Sequence, residues 1–220
     1  MARVPGVLLG VTMLCAAAPV SAQSEPWVDQ WYWGAQLGVH RFRTPEASAS
    51  WETGYTLGAH WLITGHRMGL YMSYDHILYD DALSVIADPT SGTGTRTVQF
   101  DNGRYIQADL LAMPLKGPIQ FLIGVGLTIH TISDASVQGT FATPDDQAFS
   151  QLLAKDAANR AFFNIMSGLQ LMMGGRLALY ASYEYIPSTD NFLLSDEQHT
   201  FAGGIRYSFG SRTEDVTSGR

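Results

Sequence analysis

The chain has 220 residues, 46% of them hydrophobic and 15% charged, and a formal net charge of −7. That length allows one domain with a sizeable core, and the composition lies between soluble proteins and helical membrane proteins. The acidic balance argues against a nucleic-acid partner, whose phosphates need a basic face. One cysteine excludes an intrachain disulfide framework.

The first segment reads as a secretory leader. Arg3 gives a small positive region, Val7 to Ala18 is mostly apolar, Pro19 interrupts it, and Val20-Ser21-Ala22 is a small-residue cleavage pattern. Residues 1–22 are therefore expected to be removed as a signal peptide, and Cys15 with them. Met13-Leu14 stand where a lipoprotein signal would place small residues. The mature chain then has no thiol, hence no cysteine nucleophile or cysteine zinc site, and carries 12 basic against 20 acidic residues. Residues 23–30 are a short N-terminal segment ahead of the first strand. No stretch after Ala22 reaches the roughly 18 apolar residues that a spanning helix requires.

From Trp31 onward the hydrophobic pattern has period two, the mark of strands. The first segment, 31 to 42, sets Trp31, Trp33, Leu37 and Val39 on one face against Tyr32, Gln36 and His40. The second, 53 to 62, sets Tyr55, Leu57 and Trp61 against Thr56 and His60. The third, 67 to 76, sets Met68, Leu70, Met72 and Tyr74 against Tyr71, Ser73 and Asp75, and the fourth, 104 to 114, sets Ile106 and Leu110 against Gln107, Asp109 and Leu111. The fifth, 119 to 132, sets Phe121, Ile123, Val125, Leu127 and Ile129 against Gln120, Thr128 and His130. The sixth, 161 to 173, sets Phe163, Ile165, Leu169 and Leu171 against Asn164 and Gln170. The seventh, 176 to 186, sets Leu177, Leu179, Tyr183 and Tyr185 against Tyr180, Ser182 and Glu184. The eighth, 199 to 209, sets Phe201, Ile205, Tyr207 and Phe209 against Thr200, Arg206 and Ser208.

The apolar face carries no charge through the middle of all eight segments. The other face is too rich in glycine and too poor in charge for a water-exposed surface. The pattern predicts an inverted barrel, all-β, eight-stranded, antiparallel and up-and-down, apolar outside and polar inside, over residues 31–209. Connections support it by alternating in length: 43–52, 77–103, 133–160 and 187–198 are long, whereas Thr64-Gly65-His66, Lys116-Gly117-Pro118 and Gly174-Gly175 are tight. With the N-terminus on the turn side, Trp31, Trp33, Trp61, Phe121, Tyr207 and Phe209 collect at one interface, and Tyr74, Phe163, Tyr183, Tyr185 and Phe201 at the other.

On these residues the chain resembles the small eight-stranded outer-membrane barrels of Gram-negative-type bacteria, the OmpA-like and OmpX-like family, over roughly residues 31–209. Gly204-Ile205-Arg206-Tyr207-Ser208-Phe209 is similar to the closing signal read by the barrel-assembly machinery, although Ala202 replaces a polar residue and eleven residues follow Phe209. The resemblance implies an outer-membrane location, contact with outer-membrane lipids including lipopolysaccharide, assembly through that machinery, and a monomer. Residues 210–220 are expected to form a flexible periplasmic tail.

Inside the barrel the expected polar network is Gln36, His60, Asp75, Asp109, Gln120, Gln170, Glu184 and Arg206. A buried guanidinium is costly unless paired, so Arg206 is expected to meet Asp75, Asp109 or Glu184. His40, His130, Asp75 and Glu184 fall inward near the loop end and are weak candidates for a histidine–carboxylate base of a lipid A-modifying acylase or deacylase. The stretch His130-Thr131-Ile132-Ser133 does not give the alternating histidine and serine of the deacylases, so the pattern favours no enzyme, metal or cofactor.

Eight strands leave little room for a channel, which sets a porin-like narrow gated pore behind a structural, adhesion or surface-recognition role through the loops. A soluble barrel of lipocalin type is the remaining alternative. Within the loops, Thr143-Pro144-Asp145-Asp146 opens an expected helix over 145–158 whose Phe149, Leu152 and Leu153 should pack on the barrel rim. Thr97-Val98-Gln99-Phe100 followed by Asp101-Asn102-Gly103, a hairpin-like turn signal, is expected to extend strand pairing above the membrane.

Overall fold

A computed structural model describes residues 30–45, 51–65, 67–115, 117–173, 176–188 and 191–211. The expected leader, the segment 23–29, His66, Lys116, Gly174-Gly175 and the tail from 212 onward lie outside the described residues. In chain order the elements are β1 (Gln30–Arg43), β2 (Glu52–Gly65), β3 (Met68–Ala87), β4 (Thr95–Ala112), β5 (Ile119–Ser133), β6 (Ser136–Val137), α1 (Pro144–Ala157), β7 (Asn159–Met172), β8 (Leu177–Ile186) and β9 (Ser195–Ser211).

All eight long strands pair antiparallel with their neighbours, and β1 pairs with β9, Ala35 opposite Ile205, so the sheet closes into a barrel. The two-residue β6 lies on β4, Val98 opposite Val137, and takes no part in the closure. Period two then dictates the faces. Leu37, Leu57, Leu110, Leu127, Leu169 and Ile205 point outward and exposed, while Gln36, Thr56, Asp109, Thr128, Gln170 and Arg206 point inward and buried.

The expected extension of strand pairing above the membrane is present: the hairpin of β3 and β4 runs about ten residues beyond the segment ends at 76 and 104. The in–out alternation runs unbroken through Tyr79 and breaks at Asp80-Asp81, where two successive residues face outward and a bulge between Leu78 and Ala82 shifts the register, with Asp81 at φ 49°. From Ile77 upward the inward positions are apolar, on both sides of the bulge: Ile77, Tyr79, Ala82, Ile86, Val98 and Phe100 face inward.

Asp101-Asn102-Gly103 is no turn; these residues lie within β4, Ile77 opposite Gly103 and Leu78 opposite Asn102. Gly103 serves a close approach, since a Cβ there would meet the Tyr79 ring at 2.8 Å. The chain reverses at Asp88 to Gly94 instead, through Asp88 N–H to Gly94 O (2.9 Å) with Gly94 at φ 74°.

Helix α1 begins where the sequence placed it. Thr143 caps the Asp146 N–H, the Asp146 carboxylate returns to the Thr143 N–H, and Pro144 occupies the first turn. Its packing face is a correction: Ser150 and Ala154 are buried and Leu153 packs against the core, whereas Phe149 and Leu152 stay exposed. Small residues let the helix backbone come close to the β3–β4 extension, and the larger side chains are turned away.

Buried apolar clusters lie toward both ends of the interior. At the turn end Tyr32, Leu62, Tyr71, Leu111 and Met166 pack together. At the loop end Phe42, Ile77, Tyr79, Phe100, Tyr105, Ile132, Phe162, Ile186, Phe192 and Leu193 form a core with Ala154 and Ala158 of the α1 region. This second cluster is of soluble-protein type, apolar inside and polar outside, and roofs the barrel.

Candidate functional site

The polar network fills the belt interior and interleaves with the turn-end cluster, whose Tyr71 Oη donates to Gln36 Oε1 (2.9 Å). All eight residues assigned to it by pattern are buried, but their connections differ from the expected ion pair. Among the described residues Arg206 forms no ion pair with a carboxylate. Its Nε donates to His60 Nε2 (2.8 Å), its Nη1 donates to Gln170 Oε1 (2.6 Å), and its guanidinium carbon lies 3.8 Å from the Tyr180 ring centroid.

His60 Nε2 therefore accepts, which makes Nδ1 the protonated nitrogen, 3.0 Å from Tyr180 Oη. Tyr180 donates onward to Gln36 Oε1, and Gln36 Nε2 donates to Asp75 Oδ1 (2.5 Å). Cation and carboxylate are joined by a directional relay, Arg206 to His60 to Tyr180 to Gln36 to Asp75, in which each bond polarises the next. Glycine makes the relay possible, since a Cβ at Gly34 would collide with the His60 ring and one at Gly58 with the Asp75 carboxylate.

The other two carboxylates are held by neutral donors. Asp109 accepts from Gln107 Nε2 (2.6 Å) and Asn164 Nδ2 (2.8 Å), and Glu184 from Thr128 Oγ1 (2.8 Å). Gln170 Nε2 donates to Gln120 Oε1 (3.0 Å). A cavity of about 20 Å³ lined by Gln36, Thr56, Asp75, Tyr105 and Glu184 has room for a single water.

The weak catalytic candidates do not converge. His40 Nδ1 lies 3.1 Å from Thr200 Oγ1 and 3.2 Å from Tyr105 Oη. His130 donates from Nδ1 to Gln198 Oε1 (3.2 Å) and accepts at Nε2 from Tyr79 Oη (2.8 Å). Among the described residues neither His40 nor His130 is hydrogen-bonded to Asp75 or Glu184. The two imidazoles, with ring centroids 5.7 Å apart, belong to a buried tyrosine–glutamine network under the roof. Among the described residues no group of three or more histidines or acids is placed to hold a metal.

The roof is clamped by residues that the sequence pattern did not single out. Asp88 and Arg96 form a buried ion pair, Arg96 Nε to Asp88 Oδ2 at 2.6 Å, and Ser150 Oγ of α1 donates to the same Oδ2 at 2.5 Å. Thr90 N–H closes an Asx turn on Asp88 Oδ1 (2.9 Å). Burial would raise the Asp88 carboxyl, but the donors Ser150, Arg96 and Thr90 outweigh it and hold the group well below the usual carboxylate range. Arg96 also reaches Thr140 O (3.2 Å) and covers the Phe141 ring (4.1 Å). Ser84 Oγ donates to Leu193 O (2.6 Å), tying down the last loop.

The outer surface changes character at one level. The eleven girdle residues face outward: Trp33 stacks on Trp61 (5.3 Å) and Tyr207 meets Phe209 (5.1 Å) at the turn end, while Tyr183 meets Phe201 (5.0 Å) toward the loops. Above the apolar band, the first outward polar side chains on β1, β3, β4 and β9 are arginine or histidine: Arg41 opposite His199, and His76 opposite Arg104. Arg41 and Arg43 both lie over Trp51, at 5.4 and 4.4 Å. Beyond them the surface turns acidic with Asp80, Asp81, Asp101 and Asp134.

A closed barrel of eight antiparallel strands with an uncharged outward belt, two aromatic girdles and a polar lumen defines a transmembrane β-barrel. The chain matches the outer membrane protein beta-barrel domain over residues 7–209 and belongs to that family, which places it in the outer membrane of a Gram-negative-type bacterium. Among solved structures it is similar to the Neisserial surface protein A, at 12% identity and a TM-score of 0.55 over 81% of this chain and 97% of that one. It is also similar to the N-terminal β-barrel domain of Pseudomonas aeruginosa OprF, at 13% identity and a TM-score of 0.47 over 82% and 99%. No curated protein sequence matches the chain.

Proposed function

We propose that the chain is a sealed outer-membrane barrel with a structural and surface-recognition role, exercised through its extracellular cap. One observation carries this reading: the loop end is closed by an apolar core and a buried Asp88–Arg96–Ser150 clamp, so the cap is a built platform and not a set of free loops. Binding residues held on a rigid scaffold are the usual basis of recognition. A gated pore would have to break that core, and an acylase or deacylase would need a histidine–carboxylate pair that the lumen does not assemble.

The basic residues Arg41, His76, Arg104 and His199, set where the apolar belt ends, support contact with anionic headgroups of the outer leaflet, lipopolysaccharide included. Pairing of every barrel strand on both sides within the chain supports a monomer. The closing Gly204 to Phe209 stretch supports assembly by the barrel machinery.

The test has two arms. Protein reconstituted in planar bilayers should show no unitary conductance, and cells in which residues 138–157 are replaced by a short glycine–serine turn should lose attachment to coated surfaces relative to cells with the full chain. Steady conductance, or equal attachment, would overturn the reading.

A further inference from the structure

Helix α1 is anchored on one side and bare on the other. Ser150 and Ala154 are buried, the Ser150 hydroxyl is bound to Asp88, and Gln151 Nε2 donates to Ala135 O (2.6 Å). On the opposite side Asp145, Phe149, Leu152 and Asp156 are all exposed, and their spacing of four, three and four places them in one stripe along the helix.

Phe149 is 42% and Leu152 64% exposed, although folding alone would favour burying both. The stripe is acid, apolar, apolar, acid over the twelve residues from Asp145 to Asp156, about 16 Å of helix. The basic side chain near it, Lys155, lies off the stripe.

We propose that this stripe docks a polypeptide segment of complementary chemistry: an apolar centre flanked at each end by lysine or arginine. The inference rests on the surface-recognition reading and names the face and the partner chemistry within it. Charge decides against the alternative that Phe149 and Leu152 dip into the outer leaflet, because Asp145 and Asp156 would then be pressed against anionic headgroups, where basic residues belong. The acidic surroundings of the cap, Asp80, Asp81, Asp101 and Asp134, repel an acidic partner and draw in a basic one. Rigid attachment through Ser150 and Gln151 lets the face bind without first ordering itself.

The probe is a fluorescein-labelled peptide of fourteen residues with a leucine–tryptophan centre and lysine flanks, paired with a control in which glutamates replace the lysines. Fluorescence anisotropy is read on the full barrel in nanodiscs. The lysine peptide should bind at least ten-fold more tightly than the control. Phe149→Ser with Leu152→Ser should weaken it ten-fold or more, and Asp145→Lys with Asp156→Lys should invert the preference between the two peptides.

All four positions are exposed, so the variants should keep the heat-dependent gel shift of a folded barrel. Equal affinity for both peptides, or binding indifferent to the Phe149 and Leu152 changes, overturns the proposal. A second measurement uses Phe149→Trp: quenching by brominated lipids would place the face in the bilayer and overturn it too. If these variants are silent while removal of 138–157 still abolishes attachment, the docking stripe fails and the broader recognition reading stands.

Discussion

The membrane belt and the extracellular cap use one strand pattern with opposite senses. In the belt Leu57, Leu110 and Leu127 look outward to lipid while Asp75, Asp109 and Arg206 are enclosed; in the cap Phe42, Ile77 and Phe100 are enclosed while Asp80, Asp101 and Arg104 meet water. The reversal happens within single strands, between the enclosed Asp75 and the enclosed Ile77 on β3, just below the bulge at Leu78 to Ala82. Solvent explains it. Hydrocarbon offers no gain for burying a leucine and penalises an outward charge, so the belt spends its interior on polar pairs; water restores the hydrophobic drive as soon as the chain leaves the bilayer. The two regions should therefore fail differently.

The largest expected effect is in the cap. Asp88→Ala leaves the Arg96 guanidinium enclosed without its carboxylate and should cost about 3–5 kcal/mol. The loss should be local: limited proteolysis in detergent should cut within 77–103 and 138–158 while the barrel strands stay protected. Protection equal to that of the unmodified chain would mean that the clamp does not hold the roof.

Acid should have the same effect reversibly. The folded Asp88 carboxyl is held below its ordinary value of 3.8, so its contribution is fully present above that value and is lost as pH falls beneath it. Cap protection should be flat from pH 5 to 8 and fall only below about 4, and a loss near neutrality would contradict the clamp.

Next in size comes the belt. Leu57→Arg, Ile123→Arg or Leu179→Arg near the midplane should cost about 2–4 kcal/mol, whereas Leu83→Arg on the outward face of the β3 extension should stay within about 0.5 kcal/mol. Urea titration of the folded gel band measures both, and equal penalties would erase the distinction between the two solvents.

Inside the lumen, Gln170→Leu strands an Arg206 donor and should cost about 1–3 kcal/mol, while Gln120→Leu, further from the guanidinium, should cost less. The smallest effect is at the helix cap, where Thr143→Ala should lower the stability of the roof by about 1 kcal/mol, read as faster amide exchange in the first turn of α1.

Much of this was legible in residue order. Alternation from Trp31 to Phe209 specified the barrel, its inverted sense and its girdles, because period two is a local property of an extended backbone. Thr143 to Asp146 marked a helix start, because capping is also local. The Arg206 partner was not legible. A buried cation was correctly expected to need company, but any of three carboxylates satisfied that rule, and only closure shows His60, Tyr180 and Gln36 standing between the guanidinium and Asp75.

The rim packing of Phe149 and Leu152 was misjudged for a related reason. Helical spacing identifies which residues share a face, but which face is covered depends on the neighbour. Here close approach to the β3–β4 extension selects Ser150 and Ala154. Asp101-Asn102-Gly103 carried a turn signal, yet its glycine answers to the Tyr79 ring across the hairpin.

By itself, then, the sequence determined the number of barrel strands, the face that each turns to lipid, the solvent that the barrel lives in and the position of helix α1. All of these follow from local backbone periodicity and from the cost of charge in hydrocarbon. Tertiary structure alone decided how the enclosed charges are joined, that Asp88, Arg96 and Ser150 meet, and that loops read as loops become a roof with its own core. Those outcomes depend on distances between residues far apart in the chain, and only closing the barrel sets them.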